Sequence, residues 1–239
     1  MAKPLKKARK WIRDLRKSPM HRRNDQYDRD TFHIISTLPK GATCIDIGAA
    51  SGTILQEMID KVAEGTFYAF EARPGAATLL KENFPGVTVH SMALSNEVGE
   101  ATFNEVVDNP GYSGLRRQEY PGEYAVKEIK VAVECLDNII PDDVQVDFIK
   151  IDVEGAEFSI FQGAAELLCR CKPLIVFEYG TAGRDQYGTT PQMIFEQLSD
   201  LDLKISHLST WLKGGKPMTI EQFERECPTH WYFIAHPSS

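Results

Sequence analysis

Thr43-Cys-Ile-Asp-Ile-Gly-Ala-Ala-Ser-Gly52 is the stretch whose reading decides the fold. Cys44, Ile45 and Ile47 run apolar into Gly48, and an apolar-periodic segment begins just past Gly52. That is the pattern of a buried strand turning sharply into a helix. Such a turn carries backbone N–H groups up to a ligand, and Gly48, Ala49, Ala50, Ser51 and Gly52 are all small enough to let it approach. Phosphate cradles of this design use Gly-x-Gly-x-x-Gly or a lysine-bearing loop. Here the spacing is Gly-x-x-x-Gly, no lysine is present, and Asp46 stands two residues before the first glycine. A carboxylate there repels a pyrophosphate and suits a ligand with a positive centre. S-adenosylmethionine carries a sulfonium and an ammonium group, so the acidic turn favours it over NAD, whose pyrophosphate the carboxylate would repel.

Outward from this turn the chain alternates strand and helix. Residues 54–62 carry a helical apolar stripe, 67–71 read as a second strand, Pro74 opens a helix that stops near Pro85-Gly86, and 87–92 form a third strand. This β-α-β-α-β order predicts a parallel sheet with helices on both faces. The interval 93–146 breaks the rhythm, with added strands at 101–103 and 129–133 around a turn-rich loop, 108–114, long enough to be functional. The alternation resumes with a strand at 146–152, a helix over 157–168, a strand at 173–178 and a helix over 192–199. Residues 204–208 and 231–235 close the pattern as an antiparallel pair at one sheet edge, with a short helical stretch near 219–225 between them.

The 239 residues, 42% hydrophobic and 26% charged, suit one soluble domain with an appendage: a basic helical extension over 1–40 and a main domain over 41–239. No apolar run approaches the roughly 18–20 residues that span a bilayer, and no signal-peptide pattern is present, so the expected location is cytoplasmic. Five cysteines without zinc-site spacing read as buried free thiols in a reducing compartment. The net charge of −7 is unevenly spread. Residues 1–23 hold ten Lys/Arg against the single acid Asp14, which leaves 17 basic and 33 acidic residues for the rest. An acidic body argues against nucleic-acid binding. The tail, with Leu5, Trp11, Ile12 and Leu15 at helical spacing, suits peripheral contact with an anionic membrane, or packing on its own acidic body. A further helix is expected over 24–38.

Open parallel sheets bind ligands at the carboxyl ends of their strands. Four acids fall there: Asp46, Glu71, Asp152 and Glu178. Glu71 lies 23 residues beyond Gly48, where a carboxylate can accept hydrogen bonds from ribose hydroxyls. Glu154 adds a second acid beside Asp152, and Gly155 allows close approach. These carboxylates could bind a cation, deprotonate a substrate or hold a divalent metal, which is not predicted to be required. Asp152 leads as general base or hydroxyl-orienting group, Glu154 and Glu178 follow, and His90 stands behind them. His207, His230 and His236 fall in strand-like runs at the far edge and read as structural.

The runs 44–52, 69–74, Ala93-Leu-Ser-Asn, Leu136-Asp-Asn-Ile, 148–157 and Ile175-Val-Phe-Glu178 occur in an order that resembles FkbM-family methyltransferases over about residues 41–180. Ile149-Lys-Ile-Asp-Val-Glu-Gly-Ala-Glu157 is the most family-specific piece. The resemblance implies a class I, Rossmann-like α/β three-layer sandwich. Its mostly parallel seven-stranded sheet would carry an antiparallel last strand. It implies S-adenosylmethionine as cofactor, contacted by Asp46, Gly48, Ala49, Ser51, Gly52, Glu71, Ala72, Met92 and Ala93. It also implies O-methylation of a hydroxyl on a sugar, glycan or polyketide-like molecule. Ala50 stands where asparagine is common, and Ala72-Arg73 where Glu-Pro-x-Pro is usual, which touches the details of methionine and ribose contact. The competing reading is a catalytically silent S-adenosylmethionine-binding scaffold at a membrane surface, which has no need of the acids at 152–178.

Overall fold

The computed structural model describes residues 19–118, 122–180 and 185–238. Its strands are β1 (Thr43–Ile47), β2 (Thr66–Phe70), β3 (Thr88–His90), β4 (Ala93–Leu94), β5 (Gly99–Val106), β6 (Val126–Glu134), β7 (Phe148–Ile151), β8 (Leu174–Glu178), β9 (Leu203–Ser206) and β10 (Tyr232–Pro237). Its helices are α1 (Pro19–Ser36), α2 (Thr53–Lys61), α3 (Pro74–Asn83), α4 (Leu136–Ile139), α5 (Glu157–Gly163), α6 (Ala165–Cys171), α7 (Pro191–Asp200), α8 (Leu208–Trp211) and α9 (Ile220–Glu226). The expected helix over 157–168 is two helices, because Ala164 leaves helical geometry at φ −121. The tail proposed for membrane contact lies almost wholly outside the described residues.

Seven strands form one sheet in the order β3-β2-β1-β7-β8-β10-β9. Neighbours run parallel except at β10, which is antiparallel to both β8 and β9. The final pair is therefore antiparallel, as its sequence suggests, with β10 inserted between β8 and the edge strand β9. The irregular interval builds a separate small sheet, β4-β6-β5, with its own cluster of Ala93, Phe103, Val131 and Val133.

Period-two alternation sorts the buried side chains onto two faces of the main sheet. Ile45, Ile47, Ile149, Ile151, Ile175, Phe177 and Phe233 pack with α5, α6, α7 and α9. Cys44, Phe148, Val176 and Ile234 pack with Ile34 and Ile35 of α1, Leu55 and Met58 of α2, Leu80 of α3 and Leu208 of α8. The same alternation places Asp46, Lys150, Glu178 and Tyr232 on this second face, at the rim beneath α1. Register partners Asp46 and Lys150, and Tyr232 and Glu178, put these groups side by side on adjacent strands. None of the described helices is long and apolar enough to cross a membrane. All five cysteines are free; Cys44, Cys171 and Cys227 are buried as expected, whereas Cys135 is half-buried and Cys169 exposed.

Candidate functional site

The turn after β1 is shaped by its small residues. Gly48 has φ +80, and a Cβ there would stand 1.9 Å from the carbonyl oxygen of Asp152, so only glycine fits between β1 and β7. The N–H groups of Gly48 and Ala49 both bond to Phe70 O, and Ala50, also at positive φ, donates its N–H to Glu71 Oε2 at 2.9 Å. Gly52 is not among the residues lining the two cavities at this turn. At φ +81 it packs under Phe84, whose ring a Cβ would meet at 2.4 Å, so glycine here also lets α2 seat against α3.

Two cavities meet at this turn and share Gly48, Ala50 and Asp152. The first, of about 180 Å³, is lined by Glu71, Ala72, Arg73, Met92, Ala93, Phe103, Leu115 and Glu154, and by Pro110, Gly111 and Ser113 of the loop expected to be functional. The second, of about 320 Å³, lies between α1 and the sheet rim and is lined by Tyr27, Asp28, Thr31, Asp46, Ala49, Ser51, Lys150 and Tyr232.

Glu71 is buried, and its carboxylate is fully engaged. Oε1 accepts from Arg73 N and Nε, each at 2.9 Å, while Oε2 accepts from Ala50 N and from the Arg73 guanidinium at 3.1 Å. A ribose hydroxyl can reach these oxygens only by displacing the guanidinium. Asp46 is the opposite case. It is 2% exposed, its Oδ2 has no hydrogen-bond partner, and burial pushes its carboxyl up to about 7 despite the Lys150 cation alongside. The Tyr27 hydroxyl on the same cavity is also buried without a partner. Buried groups of this kind cost stability unless a ligand or water completes them.

Asp152, Glu154 and Glu178 come together with one oxygen of each within 4.8 Å of the others. Lys150 Nζ donates to Asp152 Oδ2 at 3.1 Å, the Tyr232 hydroxyl donates to the same oxygen, and the Lys150 ammonium lies 4.5 Å from the centre of the Tyr232 ring. Burial alone would raise the Asp152 carboxyl, but Lys150 and hydrogen bonds from Glu178 and Tyr232 overcome it and hold the group below its ordinary value. Its neighbours go the other way. Burial, then the Asp152 charge, pushes Glu154 up to about 8 and Glu178 well above its ordinary value. The opposed shifts favour the negative charge on Asp152 and the proton on its glutamate neighbours. Glu157, buried behind them and bonded to Gly155 N at 3.1 Å, rises to about 7 through burial.

Of the residues singled out from sequence, Asp152 lies on both cavities, and Glu71, Ala72, Met92, Ala93 and Glu154 on the first. Asp46, Ala49 and Ser51 lie on the second, and Gly48 on both. His90 stacks on Phe70, ring centroids 4.8 Å apart, accepts from Glu71 N at its carbonyl, and is not among the residues lining either cavity. Sequence reasoning passed over Lys150, Tyr232, Arg73 and the α1 residues Tyr27, Asp28 and Thr31. Lys150 carried a signal: a lysine flanked by Phe148, Ile149 and Ile151 in a strand that must be buried on both faces needs a partner.

The strand order, the small-residue turn and the acid at the end of β2 together define a class I S-adenosylmethionine-dependent methyltransferase fold. The chain belongs to the family described as the methyltransferase FkbM domain, whose model matches residues 46–207. It resembles Methyltransferase 1 of Beauveria bassiana (23% identity, 56% of this chain and 63% of that protein). It also resembles methyltransferase sdnD of Sordaria araneosa (26% identity, 57% and 66%). The crystal structure of an FkbM methyltransferase from Methylobacillus flagellatus shares the fold, with TM-score 0.52 and 16% identity over 83% of this chain and 44% of that one. The chain thus spans just under two thirds of the curated relatives it matches.

Proposed function

We propose that this chain transfers a methyl group from S-adenosylmethionine to a hydroxyl of a polyhydroxylated small molecule, a sugar, glycan or polyketide-like acceptor, in the cytoplasm. The observation that carries the proposal is Asp152, a carboxylate on the boundary of two cavities that accepts from Lys150 and Tyr232 and lies beside Glu154 and Glu178. In this reading Gly48, Ala50, Glu71, Ala72, Met92 and Ala93 hold the nucleoside end of the cofactor, and Asp46, Ala49 and Ser51 its amino-acid end. The unpartnered Asp46 oxygen and the glycine-walled turn fit a small ligand with a cationic group. The bound cofactor supplies an activated methyl group on a good thioether leaving group. What remains for the protein is alignment and removal of one proton.

Asp152 accepts a hydrogen bond from the acceptor hydroxyl and then takes its proton. The proton becomes strongly acidic as the oxygen gains the methyl group, so a carboxylate held below its ordinary value is basic enough. Lys150 and Tyr232 keep that carboxylate charged and oriented. Glu154 and Glu178, both pushed towards the protonated form by burial and by the Asp152 charge, disfavour a second negative charge in the site. Tyr27, Asp28, Thr31 and Tyr232 line the α1 side of the same second cavity, where the acceptor would sit beside the amino-acid end of the cofactor, and rings beside carboxylates suit the apolar faces and vicinal hydroxyls of a polyol.

A screen of sugar, lipid-linked glycan and polyketide acceptors with labelled methyl donor tests the reading. Transfer to one of them should fall about 10²–10⁴-fold in Asp152→Asn protein that still binds S-adenosylhomocysteine. Tight cofactor binding with no transfer to any acceptor would favour the silent scaffold, and near-normal turnover of the variant would remove Asp152 from the chemistry.

A further inference from the structure

A second cluster of ligand-bearing side chains lies beyond both cavities, on three segments distant in sequence. His207 follows β9 and begins α8, Glu226 ends α9, and His230 lies in the turn before β10. The pairing of Ile234 with Ser206 brings the end of β9 and the start of β10 together, and α9 delivers Glu226 to the same spot. His207 Nε2 is 2.6 Å from Glu226 Oε2, the two imidazoles stand 4.6 Å apart, and one ligand atom from each residue lies within 4.8 Å of the others. All three are half-buried, with side-chain exposures of 20% for His207 and 30% for Glu226, so an ion can enter.

Outer contacts orient each group. The His207 ring lies against Phe233 at 5.5 Å, Arg225 holds Glu226 Oε1 at 3.1 Å, and the Thr229 hydroxyl stands 3.2 Å from His230 Nδ1. Metal-binding side chains are steadied by contacts of this type. We propose that His207, Glu226 and His230 form a transition-metal site that takes Zn²⁺, with water completing the coordination. Two imidazoles and a carboxylate are ligands that zinc accepts at about 2.0–2.2 Å, so a shift of about an ångström draws the three onto one ion. Magnesium and calcium require oxygen donors and are excluded by the two nitrogens.

The ion ties the turn before β10 to the end of β9. Tyr232, two residues past His230, is the group that donates to Asp152, so the site anchors the segment that brings this hydroxyl to the rim. The proposal does not depend on the acceptor or on methyl transfer.

The test uses the full chain, stripped of metal by a chelator and titrated with Zn²⁺ by calorimetry. Co²⁺ is followed in parallel by visible absorption. One equivalent should bind with the imidazole signature in the cobalt spectrum, Zn²⁺ should raise the melting temperature, and Mg²⁺ should do neither. His207→Ala and His230→Ala should each weaken binding at least about tenfold, the lower range for losing even an outer contact. Glu226→Gln, which keeps the size of the side chain, gives the same reading should a histidine variant misfold. A Cys135→Ser, Cys169→Ser background separates this site from exposed thiols and should bind unchanged. Undiminished Zn²⁺ binding by the three site variants, or its disappearance in the cysteine background, would overturn the proposal.

Discussion

Replacing Lys150 by methionine tests whether a buried cation sets the charge of the rim. Its Nζ stands 3.1 Å from Asp152 Oδ2, and its side chain is 3% exposed against 33% for Asp152. At an effective dielectric of about 20, that separation corresponds to roughly 5 kcal/mol of attraction. Solvent reaching Asp152 screens it, so the expected loss of stability at neutral pH is about 2–3 kcal/mol. Methionine keeps most of the apolar stem, so little packing is lost with the charge. The loss must depend on pH. In the native protein Asp152 is held below its ordinary value, so its stabilising contribution is full above about pH 4 and is lost as pH falls through the lowered value. Without the cation, burial and the neighbouring carboxyls raise Asp152 instead. The variant then weakens as pH rises from about 4 through that raised value, and the gap between the two proteins widens before levelling off. Urea unfolding of both proteins from about pH 5 to about pH 8 measures this gap. A gap of the same size at every pH would reduce Lys150 to packing, and no gap would mean that the pair contributes nothing.

The Glu71 fork makes two opposed predictions for S-adenosylhomocysteine binding by calorimetry. Glu71→Ala should weaken it by about 1.5–3 kcal/mol, while Arg73→Ala, by freeing the carboxylate, should tighten it by roughly tenfold; weaker binding in Arg73→Ala would make the arginine a ligand contact and not a competitor. Asp46 and Glu157, each 2% exposed and raised to about 7 by burial, hold protons in the folded state that the unfolded chain releases near pH 4. Stability should therefore decline between about pH 5 and pH 8, by on the order of 3 kcal/mol for each group, and a rise across that interval in denaturant titrations would contradict the assignment. Deleting residues 1–23 should abolish salt-dependent co-sedimentation with anionic vesicles while cofactor binding persists; no vesicle binding by the intact protein would leave the tail without a membrane role.

The turn after β1 was legible because its constraint is local: a strand that ends against the Asp152 carbonyl requires glycine at position 48, whatever the rest of the chain does. The alternation of elements and the rim acids Glu71, Asp152 and Glu154 were legible for the same reason, since period and strand end can be read from neighbours. Tyr232 was not. It meets Asp152 across 80 positions only because β10 enters the sheet beside β8, and nothing in 231–235 announces that placement. Tyr27 and Asp28 were read as parts of an extension, and they are a wall of the second cavity because α1 docks on the rim, with Asn24 accepting from the Trp231 indole at 3.1 Å. The saturation of Glu71 by Arg73 depends on a side-chain rotamer, which no spacing encodes.

The insertion of β10 between β8 and β9 has a consequence for synthesis on the ribosome. β9 emerges some 25 residues before the strand that bonds it to the sheet, so it waits without a ladder partner while β8 presents an open edge. The nascent chain at that stage holds most of its core but not the strand that closes it, and bare edges are where wrong pairings start. Asp152 meanwhile lacks the Tyr232 hydroxyl. The rim around Asp152 is therefore complete only once β10 has paired with β8, so the hydroxyl hydrogen bond that Asp152 accepts depends on that insertion.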